Sequence, residues 1–311
     1  MTVLLIGRVF GHEFELLREE IEQRGSDVLV VDVDEWPSGK PITHDVSNES
    51  IRLGSESLPI EEVEGAFVKP LTIFNAAIED RLQGVVSEDE NPYSALTQLR
   101  EYRGIFKSIL RSLESHGATV APNVETFVWD EITPHAYDRF NAAGIDVPET
   151  LATVDSNAAK EFLADHGKVV YKPITEVGGA YVLTEDETEE VEDLTTPVMF
   201  QEFVPGDDVR AYVVDDEYVG QFRYVYDGGS FSYKYPEGEV GAEPVEIPDA
   251  AREDVLAAAD VLPTTYSAVD LRLAEDGSHS IMEVNSGGRF MLADSEGVTN
   301  VAEALADHLV G

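Results

Sequence analysis

The chain has 311 residues, no cysteine, and 62 acidic against 21 basic side chains, a formal charge of −41 at pH 7. That length allows two or three compact lobes, each with its own buried core. The lack of cysteine excludes a disulfide framework, thiol catalysis and a cysteine-ligated zinc site. So large a negative charge disfavours nucleic acid and anionic membranes as partners. Val, Leu and Ile recur regularly among the acids, so the chain reads as folded rather than disordered. Such a charge suits a halophilic, cytoplasmic protein in concentrated salt, where screening relieves self-repulsion. No apolar stretch approaches membrane-spanning length, and the N-terminal run Met1-Thr-Val-Leu-Leu-Ile-Gly-Arg8 reads as a strand rather than a signal peptide.

The first elements in chain order are a strand over 3–6, a helix over 14–24 closed by Gly25, and strands over 28–33 and 66–68. Strand, helix, strand in that order predicts a small parallel α/β lobe. Gly7 and Gly11 do not complete G-x-G-x-x-G, so no dinucleotide site is expected there. A polar loop over 83–92 precedes a long helix over 93–115, which Gly104 interrupts. Arg100, Arg103, Lys107 and Arg111 fall on one face of it. That stripe fits an anion site for a carboxylate-rich acceptor, or, as we favour, pairing with neighbouring acidic surface. Helical regions over 122–141 and 156–166 follow, and His135 reads as a helix-start residue rather than a catalyst. Strands over 209–215, 218–226, 266–273 and 279–284, a helix over 248–259 and a closing helix over 298–309 complete the pattern.

Four segments carry chemistry. Lys168-Val-Val-Tyr-Lys-Pro173 is a strand that delivers Lys172 to its end, where Pro173 stops the ladder. A loop bearing Gly178 and Gly179 and a second strand at 181–183 complete a flap, or equally an ordinary glycine hairpin. Without a Cβ, those glycines let backbone N–H groups approach phosphate oxygens, and Lys172 would add a point charge. Next, Gln201-Glu202-Phe203-Val204 ends at Pro205-Gly206, and a purine edge can pair with the freed main chain of Glu202 and Val204. Asp207 or Asp208, with Asp208 the candidate, is near enough in sequence to accept from a ribose hydroxyl; a plain β-meander fits as well. Finally, Val269-Asp270-Leu271 and Met282-Glu-Val-Asn285 place acids and a carboxamide on adjacent strands. Residues two apart share a face, so Glu283 and Asn285 project together, with Met282 and Val284 opposite. Such hard oxygen donors suit Mg²⁺, commonly shared with substrate phosphates.

Taken in order, these segments resemble the ATP-grasp superfamily, and within it the glutamate-adding ligases related to the ribosomal protein S6 modification enzyme. The resemblance covers roughly residues 120 to 311. It implies an ATP-grasp α/β architecture: an N-terminal parallel lobe (1–88), linking helices and a central lobe with the phosphate flap (89–200), and a C-terminal lobe with the metal ligands (201–311). It implies Lys172 on the α and β phosphates, Gln201, Glu202, Phe203 and Val204 at the adenine hinge, and Asp270, Glu283 and Asn285 on two Mg²⁺, for which Mn²⁺ can substitute. Arg223 would steady the transferring phosphoryl group. The implied reaction joins a small-molecule carboxylate to an amine through an acyl phosphate. Positioning and charge neutralisation, rather than a general base, would carry it.

The family pattern is not kept throughout. Where such ligases carry an Asp-Lys pair before the central helix, this chain has Thr133-Pro134. Ser232-Tyr233-Lys234 replaces an Arg-x-Asn, and Gly287-Gly288 replaces the proline after the metal strand. The acceptor site is therefore reworked, and a nucleotide-binding protein with lost ligase activity and a small-molecule kinase stay open. So does a homo-oligomer. No Gly-x-Ser-x-Gly elbow supports a serine hydrolase.

Overall fold

A computed structural model describes residues 1–9, 12–33, 40–69, 92–175, 179–226, 232 and 238–311. They form two compact units: Met1–Glu125 with Ser286–Met291 and Val301–Gly311, and Thr126–Asn285 with Leu292–Asn300. Gly178, Tyr233, Lys234 and nearly all of the loop expected over 83–92 lie outside the described residues, as does the boundary expected at 88. The boundary expected at 200 falls inside a strand, Val198–Glu202.

In the first unit, β1 (Thr2–Gly7), α1 (Glu13–Gln23) and β2 (Asp27–Asp32) form a parallel crossover. Phe14, Leu17 and Ile21 put three apolar side chains on the buried face of α1. Three four-residue strands follow, β3 (Ile42–Asp45), β4 (Ser50–Leu53) and β5 (Glu56–Pro59), as an antiparallel sheet that the sequence patterning does not reveal. Then come β6 (Val63–Val68), the long helix α2 (Pro92–Ser115) and β7 (Thr119–Ala121). The main sheet runs β2-β1-β6-β7, parallel throughout. Parallel strands are covered on both faces, which is why Val3 to Ile6 and Ala66 to Val68 read as unbroken apolar runs and are fully buried. The C-terminal helix Val301–Val310 packs on β6 and β7. Its close approach requires Gly65, where a Cβ would lie 2.5 Å from the Leu309 carbonyl oxygen. Of the basic stripe on α2, Arg111 pairs with Glu114 at 2.9 Å and Glu125 at 3.0 Å, and Arg103 and Lys107 are also engaged.

A 3₁₀ segment, Val124–Glu131, leads into the second unit's α3 (Thr133–Ala143), ended by Gly144 in the left-handed region at φ +79. Next are β8 (Thr150–Thr153), α4 (Ser156–His166), β9 (Lys168–Pro173), β10 (Tyr181–Thr184) and β11 (Val198–Glu202). These strands form one antiparallel sheet, β10-β9-β11-β8, whose Val169, Val198 and Phe200 pack under Ala159 and Leu163 of α4. After them run β12 (Asp207–Val214), β13 (Glu217–Val225), β14 (Gly241–Glu243), α5 (Asp249–Val261), β15 (Tyr266–Leu273) and β16 (His279–Asn285). They make a five-stranded antiparallel sheet, β14-β13-β12-β15-β16. One face, carrying Val209, Ala211, Val213, Val269, Leu271 and Ile281, is closed by Ala251, Val255 and Ala258 of α5. Strand alternation leaves Asp208, Arg210, Tyr212 and Asp270 on the other face. The architecture is the α/β arrangement expected, and among the described residues no helix is long and apolar enough to cross a membrane.

Candidate active site

The polar face of the five-stranded sheet collects the three oxygen-bearing side chains singled out in the sequence. Asp270 on β15 stands opposite Glu283 on β16, and Ala268 opposite Asn285. A one-residue bulge in β16 shapes this pairing: the partner of Leu271 is Ile281, so Met282 is the extra residue. The bulge lets Ile281 enter the apolar layer under α5 while Glu283, only two residues on, faces Asp270. All three are buried, Asp270 at 6%, Glu283 at 9% and Asn285 at 7% exposure. The Asn285 carboxamide donates to Asp270 Oδ2 at 3.2 Å and to the Ala268 carbonyl at 3.4 Å. Those donations engage the amide nitrogen, so Oδ1 is the atom of Asn285 that could ligate a cation. Two carboxylates and a carboxamide on one buried face fit a hard divalent cation.

Sequence reasoning missed the fourth member. Arg210, opposite Asp270 on β12, makes a bidentate pair with it, Nε to Oδ1 at 2.7 Å and Nη2 to Oδ2 at 2.8 Å. Its guanidinium lies 5.6 Å from the centroid of the Tyr224 ring. The pair is buried and charge-assisted, so it fixes both side chains firmly. The signal was present: Asp208-Val-Arg210 alternates across a strand, which sends both polar ends to one face.

Arg223 is placed elsewhere. It stands opposite Val209, whose side chain belongs to the α5 layer, so it takes the face opposite to Arg210 and Asp270. There it is exposed and bridges Asp207 at 3.0 Å and Glu243 at 2.9 Å. These two contacts, Glu243 foremost, hold its charge more firmly than usual. Asp208 is on the same polar face as Asp270 and buried, with the Tyr226 hydroxyl donating to it at 2.6 Å and Arg272 at 3.3 Å. Burial, reinforced by Asp208, pushes the Tyr226 phenol up to about 12.

The nucleotide candidates lie on the four-stranded sheet. Lys172 sits opposite Met199, half-buried, its ammonium 5.8 Å from the Tyr137 ring centroid. Among the described residues no acid forms an ion pair with it. A Cβ on Gly179 would meet only the hydroxyl end of exposed Tyr181, at 3.1 Å, so packing does not demand a glycine there. Gln201 is buried, and its amide donates to Thr150 Oγ1 at 2.9 Å, a link between β11 and β8. At the end of β11 the main chain leaves the ladder in steps. Glu202 N–H reaches the Glu149 carbonyl at 3.0 Å, and Phe203 N–H reaches that of Lys168 at 3.2 Å. Val204 N–H has no partner among the described residues. The Lys168 ammonium caps the Phe203 ring at 3.4 Å from its centroid. His166 links this segment to its neighbours, 3.2 Å from Glu149 and 4.0 Å from Glu202. Gly206 at φ +135 makes the turn into β12, where a Cβ would lie 2.7 Å from the Leu273 carbonyl oxygen.

Buried carboxylates and a carboxamide on an antiparallel sheet, joined to a lysine-bearing second sheet, form an arrangement that ATP-grasp proteins share. Residues 136–309, more than half of the chain, match the RimK-like ATP-grasp domain. The chain therefore belongs to the RimK-like ATP-grasp family. It is 27% identical over 183 residues to the tetrahydromethanopterin:alpha-L-glutamate ligase of Methanosarcina acetivorans, covering 52% of this chain and 56% of that one. The chain thus spans little more than half the length of that curated relative. In fold it is similar to the ATP-grasp ligase PsnB, solved with a phosphomimetic variant of a minimal precursor, Mg and ADP; the TM-score is 0.78 at 23% identity, over 99% of this chain and 97% of that one. It is also similar to the macrocyclase MdnC of Microcystis aeruginosa MRC bound with precursor peptide MdnA, with a TM-score of 0.78 at 19% identity, over 100% and 99% of the two chains.

Proposed function

We propose that this chain is an ATP-dependent carbon–nitrogen ligase joining a carboxylate to an amine. The observation that carries the reading is the convergence of Asp270, Glu283 and Asn285 on one buried sheet face. In the proposed reaction a substrate carboxylate oxygen attacks the γ-phosphorus of ATP, and the bond to the departing ADP oxygen breaks. The amine then attacks the acyl phosphate, loses a proton and expels inorganic phosphate, leaving an amide. Mg²⁺ on this face would neutralise charge developing on the phosphate oxygens. Glu283, the Asn285 oxygen and Asp270 would hold the cation, with Asp270 also paired to Arg210. Arg210 orients Asp270 through its bidentate pair, and in this reading it, rather than Arg223, supplies positive charge on the metal face. Lys172 attracts the α and β phosphates, and Val204 N–H with the Glu202 carbonyl receives the adenine edge.

The glutamate ligase of Methanosarcina supports glutamate as one substrate class. PsnB and MdnC, solved with precursor peptides, support a peptide as a second substrate class beside small molecules. The test is ADP release with Mg²⁺ in molar KCl, screened against glutamate, other amino acids and acidic peptides, with hydroxylamine added to trap acyl phosphate. We expect carboxylate-dependent ADP and a hydroxamate; a phosphorylated hydroxyl without hydroxamate would make the chain a kinase. One observation favours a second reading, a nucleotide-binding protein without turnover: Arg210 engages both Asp270 oxygens. In that case ATP binds and no acceptor elicits ADP.

A further inference from the structure

In the first unit a buried lysine grips the chain that leaves the metal strand. Lys69 follows β6, is 6% exposed, and forms an ion pair with Glu13 of α1 at 2.8 Å. Its ammonium also donates to two consecutive main-chain carbonyls, Gly287 at 3.2 Å and Gly288 at 3.1 Å. Glu13 completes the clasp by accepting from the Phe290 N–H at 2.7 Å. The Phe67 and Phe290 rings wall off the ammonium at 5.2 and 5.4 Å from their centroids. Gly7 leaves room for the lysine stem, since a Cβ there would sit 2.8 Å from Lys69 Cβ.

A buried ion pair is no better for stability than apolar residues of similar volume, so its presence asks for another role. The segment it grips supplies one. Gly287-Gly288 begins two residues after Asn285, and glycine loses more freedom on ordering than any other residue. Fixing both carbonyls orients both peptide planes, because each planar trans unit turns as a whole. We infer that Lys69, paired with Glu13, is a positioning residue that fixes the Gly287–Gly288 main chain and thereby holds the Asn285 end of β16 ready for a cation. The inference rests on the ligase reading of that strand.

The double variant Lys69→Met with Glu13→Gln removes both charges together, leaving neither buried alone. Two readouts apply: hydrogen exchange over residues 286–290, and ADP release against Mg²⁺ concentration. We expect exchange to speed about tenfold, which corresponds to about 1.4 kcal/mol of lost local protection. Half-saturating Mg²⁺ should rise roughly threefold or more, while KM for ATP at saturating Mg²⁺ changes less than about twofold. Lys69→Arg, with the charge kept, should recover part of both. A folded double variant with wild-type exchange, or with wild-type Mg²⁺ dependence, overturns the assignment. If the double variant does not fold, Gly7→Ala presses on the same lysine and takes its place, with the same outcomes deciding. Wild-type protein that makes no ADP with any carboxylate breaks the ligase reading instead; Mn²⁺ binding then replaces the Mg²⁺ readout, and the clasp stands or falls on it and on the exchange.

Discussion

Two arginines on neighbouring strands of one sheet have opposite surroundings. Arg210 is buried against Asp270 in a bidentate pair, whereas Arg223 is exposed between Asp207 and Glu243. Either could be offered as the positive charge of a phosphoryl-transfer site. The sheet separates them, because a strand presents successive side chains to opposite faces. Only Arg210 shares the face of Glu283 and Asn285. The pairs also differ in energetic weight: breaking a buried pair leaves a charge without solvent, while an exposed pair is screened.

That contrast can be broken by mutation. The largest effect should come from Arg210→Met, which strands Asp270 and should lower unfolding free energy by about 3–5 kcal/mol, read by urea titration. A loss below about 1 kcal/mol would show that Asp270 is not held as described. Glu283→Ala should reduce ADP release on the order of 10²–10³-fold, with an unchanged far-UV spectrum; turnover like that of wild type would remove the cation assignment. Lys172→Ala should weaken ATP binding about tenfold, near 1.4 kcal/mol, by calorimetry. Arg223→Ala should alter stability by at most about 1 kcal/mol, fading in molar KCl, and leave turnover within about twofold. A collapse of turnover there would return the phosphoryl role to Arg223. The smallest effect concerns pH. The Tyr226 phenol is raised to about 12, so its contribution is complete below about pH 10 and is lost as pH rises toward 12. Absorbance titration of wild type against Tyr226→Phe checks this, and a tyrosine ionising near 10 would contradict it.

The shared face of Glu283 and Asn285 was legible because it depends only on alternation along β16. Local spacing also located β9, α4 and most strands of the second unit. The face of Arg223 was not legible. Val213 pairs with Tyr218 but Tyr212 with Gly220, so Val219 is an extra residue in β13. That single bulge reverses the parity of the strand, turning Arg223 away and bringing Tyr224 beside Arg210. Gly220 beside Val219, a lone glycine inside a strand, is its one local signal. The bulge at Met282 has no such neighbour, although it spared Glu283 and Asn285. The three short strands from Ile42 to Pro59 gave too few residues for any periodicity. Lys69 and Glu13 are far apart in sequence, and only folding reveals that they share one buried cluster.

In the proposed ligase, Asp270, Glu283 and Asn285 hold divalent cations beside a nucleotide. Electron paramagnetic resonance of Mn²⁺ titrated into the protein with a non-hydrolysable ATP analogue tests this directly. Tight, nucleotide-dependent Mn²⁺ binding is expected in wild type and in Arg223→Ala, and its loss in Glu283→Gln. Equal Mn²⁺ binding by wild type and Glu283→Gln would contradict it.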